Sequence, residues 1–160
     1  METTCCADEH FRAGIVELEA GRFDQALEHF RTAQKMDPAR PTFRSYFGLC
    51  LGLTERRFDK ALELCRSAAK EEFYNAGLYH NLARVHLAFG FKAEAIRYLR
   101  RGLMIDPKSQ PILLELEELG RRRGPVLAFL RRQNPLNRLL GRLRSRMRGR
   151  PAELEPIHPA

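Results

Sequence analysis

The sequence predicts an all-α fold, a solenoid of antiparallel helix pairs with a basic helical extension at its carboxy terminus. Three observations carry this expectation. Apolar residues recur at spacings of three and four through most of the chain, the signature of one helix face. A pattern returns after 35 and then 34 residues, with Ala26, Ala61 and Ala95 at equivalent places in GRFDQALEHFRTAQKMDP (21–38), RRFDKALELCRSAAK (56–70) and GFKAEAIRYLRRGLMIDP (90–107). Asp37-Pro38 and Asp106-Pro107 close two of these segments, because a residue before proline is biased away from helical geometry.

Each unit opens with its own amphipathic stretch: HFRAGIVELEAG (10–21), PTFRSYFGLCLGL (41–53) and GLYHNLARVHLAFG (77–90). Helix pairs are therefore expected over 8–38, 42–70 and 76–107. Gly21 and Gly90 suit the tight turns between paired helices, since glycine accepts the left-handed backbone that such turns require. Small residues at Gly14, Ala26, Gly48, Ala61, Ala83 and Ala95 let paired helices approach closely, with Phe23, Phe30, Phe58 and Leu99 expected to fill the space around them. The middle unit lacks a closing proline after Lys70 and carries one extra residue near Thr54–Arg57.

With its small mid-helix residues, its alanine in the second helix and its closing prolines, the chain resembles the tetratricopeptide repeat family over about residues 8–107. Lys92 stands where that pattern has an aromatic residue, and Gly102 where it has alanine. A weaker fourth unit follows at 109–134, with Gly124 and Pro125 suited to a turn and Phe129 in the place of alanine. It reads as a degenerate or capping unit, which solenoids need at their ends. The expected organisation is a repeat domain over 1–134, an arginine-rich amphipathic helix over 135–150 beginning at Asn134-Pro135, and a proline-rich tail over 151–160.

Net charge is +8, yet it is unevenly placed. Residues 1–120 hold 17 basic and 18 acidic side chains, while 121–150 hold 11 arginines and no acid. Leu136, Leu139, Leu140, Leu143 and Met147 form an apolar stripe in this segment. That stripe could dock on the repeats as a cap, leaving the arginines in solvent. Arg138, Arg142, Arg144, Arg146 and Arg148 alternatively form a patch for a nucleic-acid backbone, an anionic membrane surface or an acidic protein. With Phe129 the only aromatic residue in 121–150, base stacking is not expected.

No apolar run approaches the roughly 20 residues of a spanning helix. METTCCADEHF lacks the charged and apolar regions of a secretory leader, so a cytoplasmic location is expected. Four cysteines, at 5, 6, 50 and 65, offer neither a CxxC pair nor zinc spacing; Cys50 and Cys65 fit buried helix faces. The five histidines, 10, 29, 80, 86 and 158, are scattered and read as surface or half-buried residues. The acids of LELEELG (114–120) read as a solvated helix face. Phosphate-binding, metalloprotease and nucleophile-elbow motifs are missing, so neither an enzyme nor a cofactor is expected.

The resemblance implies a concave groove lined by the first helix of each unit and a role as an adaptor holding a partner protein segment. Groove candidates are Phe11, Ile15, Leu18 and Glu19 in the first unit; Ser45, Tyr46, Leu49 and Leu53 in the second; and His80, Asn81, Arg84, Leu87 and Ala88 in the third. Phe11, Leu18, Leu49 and Leu87 fit packing between helices equally well. Family members that grip a terminal carboxylate use a Lys/Asn/Arg clamp, and Phe11 and Ile15 stand at the corresponding first-unit places here. A surface for homo-oligomer formation is the remaining alternative.

Overall fold

The computed structural model describes residues 2–120, which form seven helices: α1 (Glu2–Glu19), α2 (Phe23–Met36), α3 (Pro41–Thr54), α4 (Phe58–Glu71), α5 (Ala76–Ala88), α6 (Lys92–Ile105) and α7 (Gln110–Gly120). The expected second half of the fourth unit, the arginine-rich helix and the tail lie outside the described residues. Helices α1–α2, α3–α4 and α5–α6 form the three expected antiparallel pairs, and α2 packs on α3 and α4 on α5 between pairs. The first helices α3 and α5 also touch directly. Successive units thus align their first helices side by side, as in a solenoid.

Local chemistry sets the helix ends. Asp24, Asp59 and Glu94 place a carboxylate in the first turn of α2, α4 and α6, where the helix dipole favours negative charge. Asp37 and Asp106, each before proline, leave the helical region at φ −135° and −125°. Without a closing proline, α4 ends at Glu71, and the side chain of Asn75 accepts a hydrogen bond from Gly77 N at 3.1 Å to cap α5. Asn75 also donates to Glu72, so this polar turn takes the role assigned elsewhere to proline.

Gly21 and Gly90 take the left-handed backbone, at φ 75° and 83°. The equivalent place in the middle unit is Arg56, at φ 56°. The extra residue of this unit lies at the end of α3, beside that turn. A side chain in this conformation is strained by contact with the neighbouring carbonyl. The strain is offset by two contacts to the next unit: the guanidinium donates to the Ala88 carbonyl at 3.0 Å and lies 4.6 Å over the Phe89 ring.

The small residues do what their spacing implies. Gly14, Ala26, Gly48, Ala61, Ala83 and Ala95 are all buried, and Phe30 and Leu99 fill the adjoining space. A Cβ on Gly14 would stand 2.7 Å from the Phe30 ring; one on Gly48 would stand 2.9 Å from Leu64 Cβ and 3.1 Å from the Ala61 carbonyl. Gly102 replaces the expected alanine because Ile112 of α7 occupies that volume, 2.6 Å from where a Cβ would lie. Phe58 is half-buried, but Phe23 is 39% exposed and does not fill the core as expected. It lines a surface pocket beside Leu53 and Thr54 at the end of α3.

A principal core runs from Leu18 through Phe30, Leu49, Leu62 and Leu82 to Val85, and a second gathers Ala83, Ala95, Leu99 and Ile112. Replacing Gly48 with Ala should destabilise the chain by about 1–3 kcal/mol, because the obstructing Ala61 carbonyl belongs to a helix backbone. Alanine's gain of about 1 kcal/mol in helix propensity offsets part of the steric cost and is already included in that loss. Urea unfolding monitored by circular dichroism measures it, and an unchanged midpoint would contradict the close approach.

Candidate functional site

The first helices α1, α3 and α5 present a continuous face whose residues differ in accessibility. At its amino-terminal end Phe11 is half-buried in an aromatic cluster: its ring stacks on Phe43 at 4.8 Å and meets Tyr46 edge-on at 5.1 Å. Ile15 packs, half-buried, against the principal core, while Leu18 is buried in it. Glu19 is exposed and Leu53 half-buried.

In the middle of the face, three expected groove residues belong to the interior. Leu49 and Ser45 are fully buried and Asn81 is 1% exposed. Asn81 Nδ2 donates to Ser45 Oγ at 3.2 Å, joining α5 to α3. The reason is the position of α3, which touches α2, α4 and α5 and has little free surface left. These three residues hold the groove wall together and cannot be direct contacts of a ligand on its surface. Leu87 is half-buried against the second core, and Ala88 is half-buried beside it.

The accessible polar residues converge around Arg84, which is half-buried and forms no hydrogen bond or ion pair among the described residues. Its charge acts on Tyr46, on Cys50 and on Glu115 of α7. Tyr46 is held above its ordinary phenol value, chiefly by burial, with Arg84 opposing that rise and Glu19 adding to it. Burial pushes the Cys50 and Cys65 thiols up to about 12, so both are protonated and inert, as their apolar setting implies. The Nε2 of His80 lies 3.4 Å from Oε2 of Glu115, and the tautomer protonated at Nε2 donates to the carboxylate.

Glu115 is therefore a member of this site, although the acids of α7 read as a solvated face in the sequence. Its signal is positional: it stands 34 residues after Asn81, one repeat period on. His86 is the second departure, with only 4% of its surface exposed where a surface or half-buried residue is expected. The arginine patch from Arg138 to Arg148 lies outside the described residues. Among the described residues, no group of three or more His, Cys, Asp or Glu could hold a metal, and no helix is long and apolar enough to cross a membrane.

Paired helices at a 34-residue period, with first helices aligned on one face, define a helical-repeat scaffold built to present a surface. Two family models described as tetratricopeptide repeat match the sequence, one over residues 11–76 and the other over 52–117. The chain belongs to the tetratricopeptide repeat family. It is similar to the Hsp70-Hsp90 organizing protein of Triticum aestivum, with 29% identity over 104 residues. That similarity covers 65% of this chain and 18% of the relative, so the chain spans under a fifth of that relative's length.

Among solved structures, the Arabidopsis OM64 TPR domain superimposes with a TM-score of 0.58 at 16% identity, covering 74% of this chain and 97% of that one. The first TPR of Spaghetti (RPAP3), bound to the HSP90 peptide SRMEEVD, gives 0.57 at 18% identity, with coverage of 73% and 92%. A thermophilic TPR protein of Thermus thermophilus gives 0.61 at 21%, covering 71% and 63%. At these identities the likeness is one of fold.

Glu115 is held below the ordinary carboxylate value, first by the hydrogen bond from His80 and then, against partial desolvation, by the charges of His80 and Arg84. A carboxylate lowered in the fold adds stability above its ordinary value, and the gain is lost as pH falls through the lowered value. His80→Ala should therefore raise the Glu115 titration toward 4.5 and weaken the loss of stability on acidification below that pH. Carbon-detected NMR of the side-chain carboxyl reads the shift; an unmoved titration would show that the pair does not form.

Proposed function

We propose that the chain is a protein-binding adaptor whose first-helix face holds an extended segment of a partner, with an apolar side chain near Ile15 and Tyr46 and an acidic group on Arg84. Arg84 carries this reading: a half-buried guanidinium without a hydrogen-bond or ion-pair partner among the described residues, beside half-buried rings, is matched to an incoming carboxylate or carbonyl. The mixed surface suits the role, since an apolar anchor supplies affinity and a charged fork fixes orientation.

The solved relative bound to SRMEEVD accepts a peptide of that sequence. Here Phe11 and Ile15 stand in place of the first two clamp residues, and Phe11 is engaged with Phe43, Phe30 and Tyr46. The reading favoured for this chain is an internal acidic side chain as the recognised group. The location in which it works, expected to be the cytoplasm, belongs to the same proposal.

Short peptides bearing a leucine two or three residues before a glutamate are the test, made with free-acid or amidated ends and with glutamine in place of the glutamate. Arg84→Gln should weaken the glutamate peptide about tenfold, the worth of one charge-assisted hydrogen bond, and leave the glutamine peptide nearly unaffected. Tyr46→Ala should weaken both, and amidation should change neither. Crosslinks confined to second-helix faces, with affinity unchanged in both variants, would reject the site.

The 11 arginines of 121–150 support a second, separate reading, an auxiliary attraction to polyanions through phosphate contacts without sequence selectivity. Exchanging Arg142, Arg144, Arg146 and Arg148 for Gln should reduce binding to unrelated DNA and RNA alike, and should flatten its salt dependence. Sequence-selective binding that survives both the exchange and high salt would overturn it.

A further inference from the structure

The second helices α4 and α6 flank α5 on the face away from the groove and leave a cavity of about 370 Å³. Arg66 of α4 and Glu94, Arg97, Tyr98 and Arg101 of α6 form its walls, with His86 of α5 as the remaining lining residue. Through Arg66, Tyr98 and Arg101 it continues into a cleft of about 390 Å³ lined also by Phe73, Tyr79 and Leu82. The first compartment is cationic, and the adjoining one sets Phe73, Tyr79 and Leu82 beside Lys70 and the two shared arginines.

His86 is the unusual member. Its side chain is nearly all buried, at 4% exposure, yet neither Nδ1 nor Nε2 has a hydrogen-bond partner. Buried polar groups are seldom left so. Its ring is fixed by Tyr98, stacked at 5.2 Å with an interplanar angle of 18°, and by Phe58 edge-on at 5.7 Å. The cations around it are exposed: Arg66 and Arg97 form no hydrogen bond or ion pair among the described residues, and Arg101 lies 5.2 Å over the Tyr79 ring.

Three arginines against Glu94 give the cavity walls a charge of two positive units, which complements a dianion better than a single carboxylate. Arginine forks match the oxygens of a phosphate group, and aromatic rings favour an aromatic neighbour by stacking. We propose that this valley binds a phosphate monoester with an aromatic body, the phosphate held by Arg66, Arg97 and Arg101 over His86, and the ring lying against the exposed Phe73 at the mouth of the adjoining cleft, whose floor is formed by the nearly buried Tyr79 and Leu82. The site lies on the face opposite the groove and stands independently of the peptide reading above.

The electrostatics of His86 provide a local reporter. Burial first, and then the charge of Arg66, hold its imidazole below the ordinary value, while Glu94 acts in the opposite sense. Arg66 faces it from α4, and Glu94, Arg97, Tyr98 and Arg101 line the same cavity from α6. A bound dianion counters Arg66 and moves the His86 titration upward.

The experiment follows the His86 ring resonances of the full-length chain at constant ionic strength during titration with phenyl phosphate, inorganic phosphate, phenol and a phosphotyrosine peptide. Phenyl phosphate should shift His86 saturably and bind about tenfold more tightly than inorganic phosphate, through burial of its ring. Arg66→Gln and Arg97→Gln should each weaken it about tenfold, while Arg100→Gln, an equal change of charge outside the cavity, should not. A peptide that binds more tightly than phenyl phosphate supports a phosphorylated protein as the source, and equal affinities support a free small molecule. An unmoved His86, or binding retained in Arg66→Gln and Arg97→Gln, overturns the site; equal binding of phenyl phosphate and inorganic phosphate overturns its aromatic part.

Discussion

Everything in this fold depends on how closely the two helices of a pair can approach. At Gly48 the neighbouring backbone and side chains leave no room for even a methyl group, and at Gly14 the ring of Phe30 occupies that space. Interiors packed to the density of organic crystals transmit such contacts over long distances. Close pairing fixes each hairpin as a rigid brick. The stacking of bricks then decides which surfaces stay open: the first-helix face with Arg84, and the valley over His86 between the second helices.

The two faces divide their chemistry unequally. On the first-helix side the half-buried groups are largely engaged, in the aromatic cluster of Phe11, Phe43 and Tyr46 and the His80–Glu115 pair, and Arg84 acts on Tyr46 and Glu115 through its charge alone. On the other side positive charge outweighs acid, because Arg66, Lys70, Arg97 and Arg101 share a valley with Glu94, and Asp59 and Glu63 border only its Arg66–Lys70 edge. A nearly neutral repeat body therefore carries strong local fields, which a sum over the chain conceals.

The fold was legible because its determinants are local and periodic. Ala26, Ala61 and Ala95 mark the close contacts, and Gly21 and Gly90 mark the turns, each for a steric reason visible in one residue. What escaped depends on neighbours distant in sequence. Leu49, Ser45 and Asn81 occupy surface positions of an isolated pair and become interior once α3 and α5 meet. Glu115 joins the site through His80, 35 residues away, although a run of acids usually faces solvent. His86 carries a polar ring on a face whose burial arises only when α4 and α6 close around α5. Sequence periodicity thus reveals which face a residue occupies, but not what finally covers that face.

Arg56 gives the stack a mechanical property. The residue that makes the turn between α3 and α4 also grips the far end of α5, through the Ala88 carbonyl and the Phe89 ring. Turn geometry in the middle unit is thereby linked to the docking of the third, whereas the corresponding places in the other units are glycines with no side chain to reach across. In a one-dimensional array, stability divides into the intrinsic strength of each repeat and the coupling at each boundary. Arg56 moves free energy from the first of these to the second: its own hairpin is strained, and the boundary gains a latch. The second and third units should consequently bend and melt together as one segment.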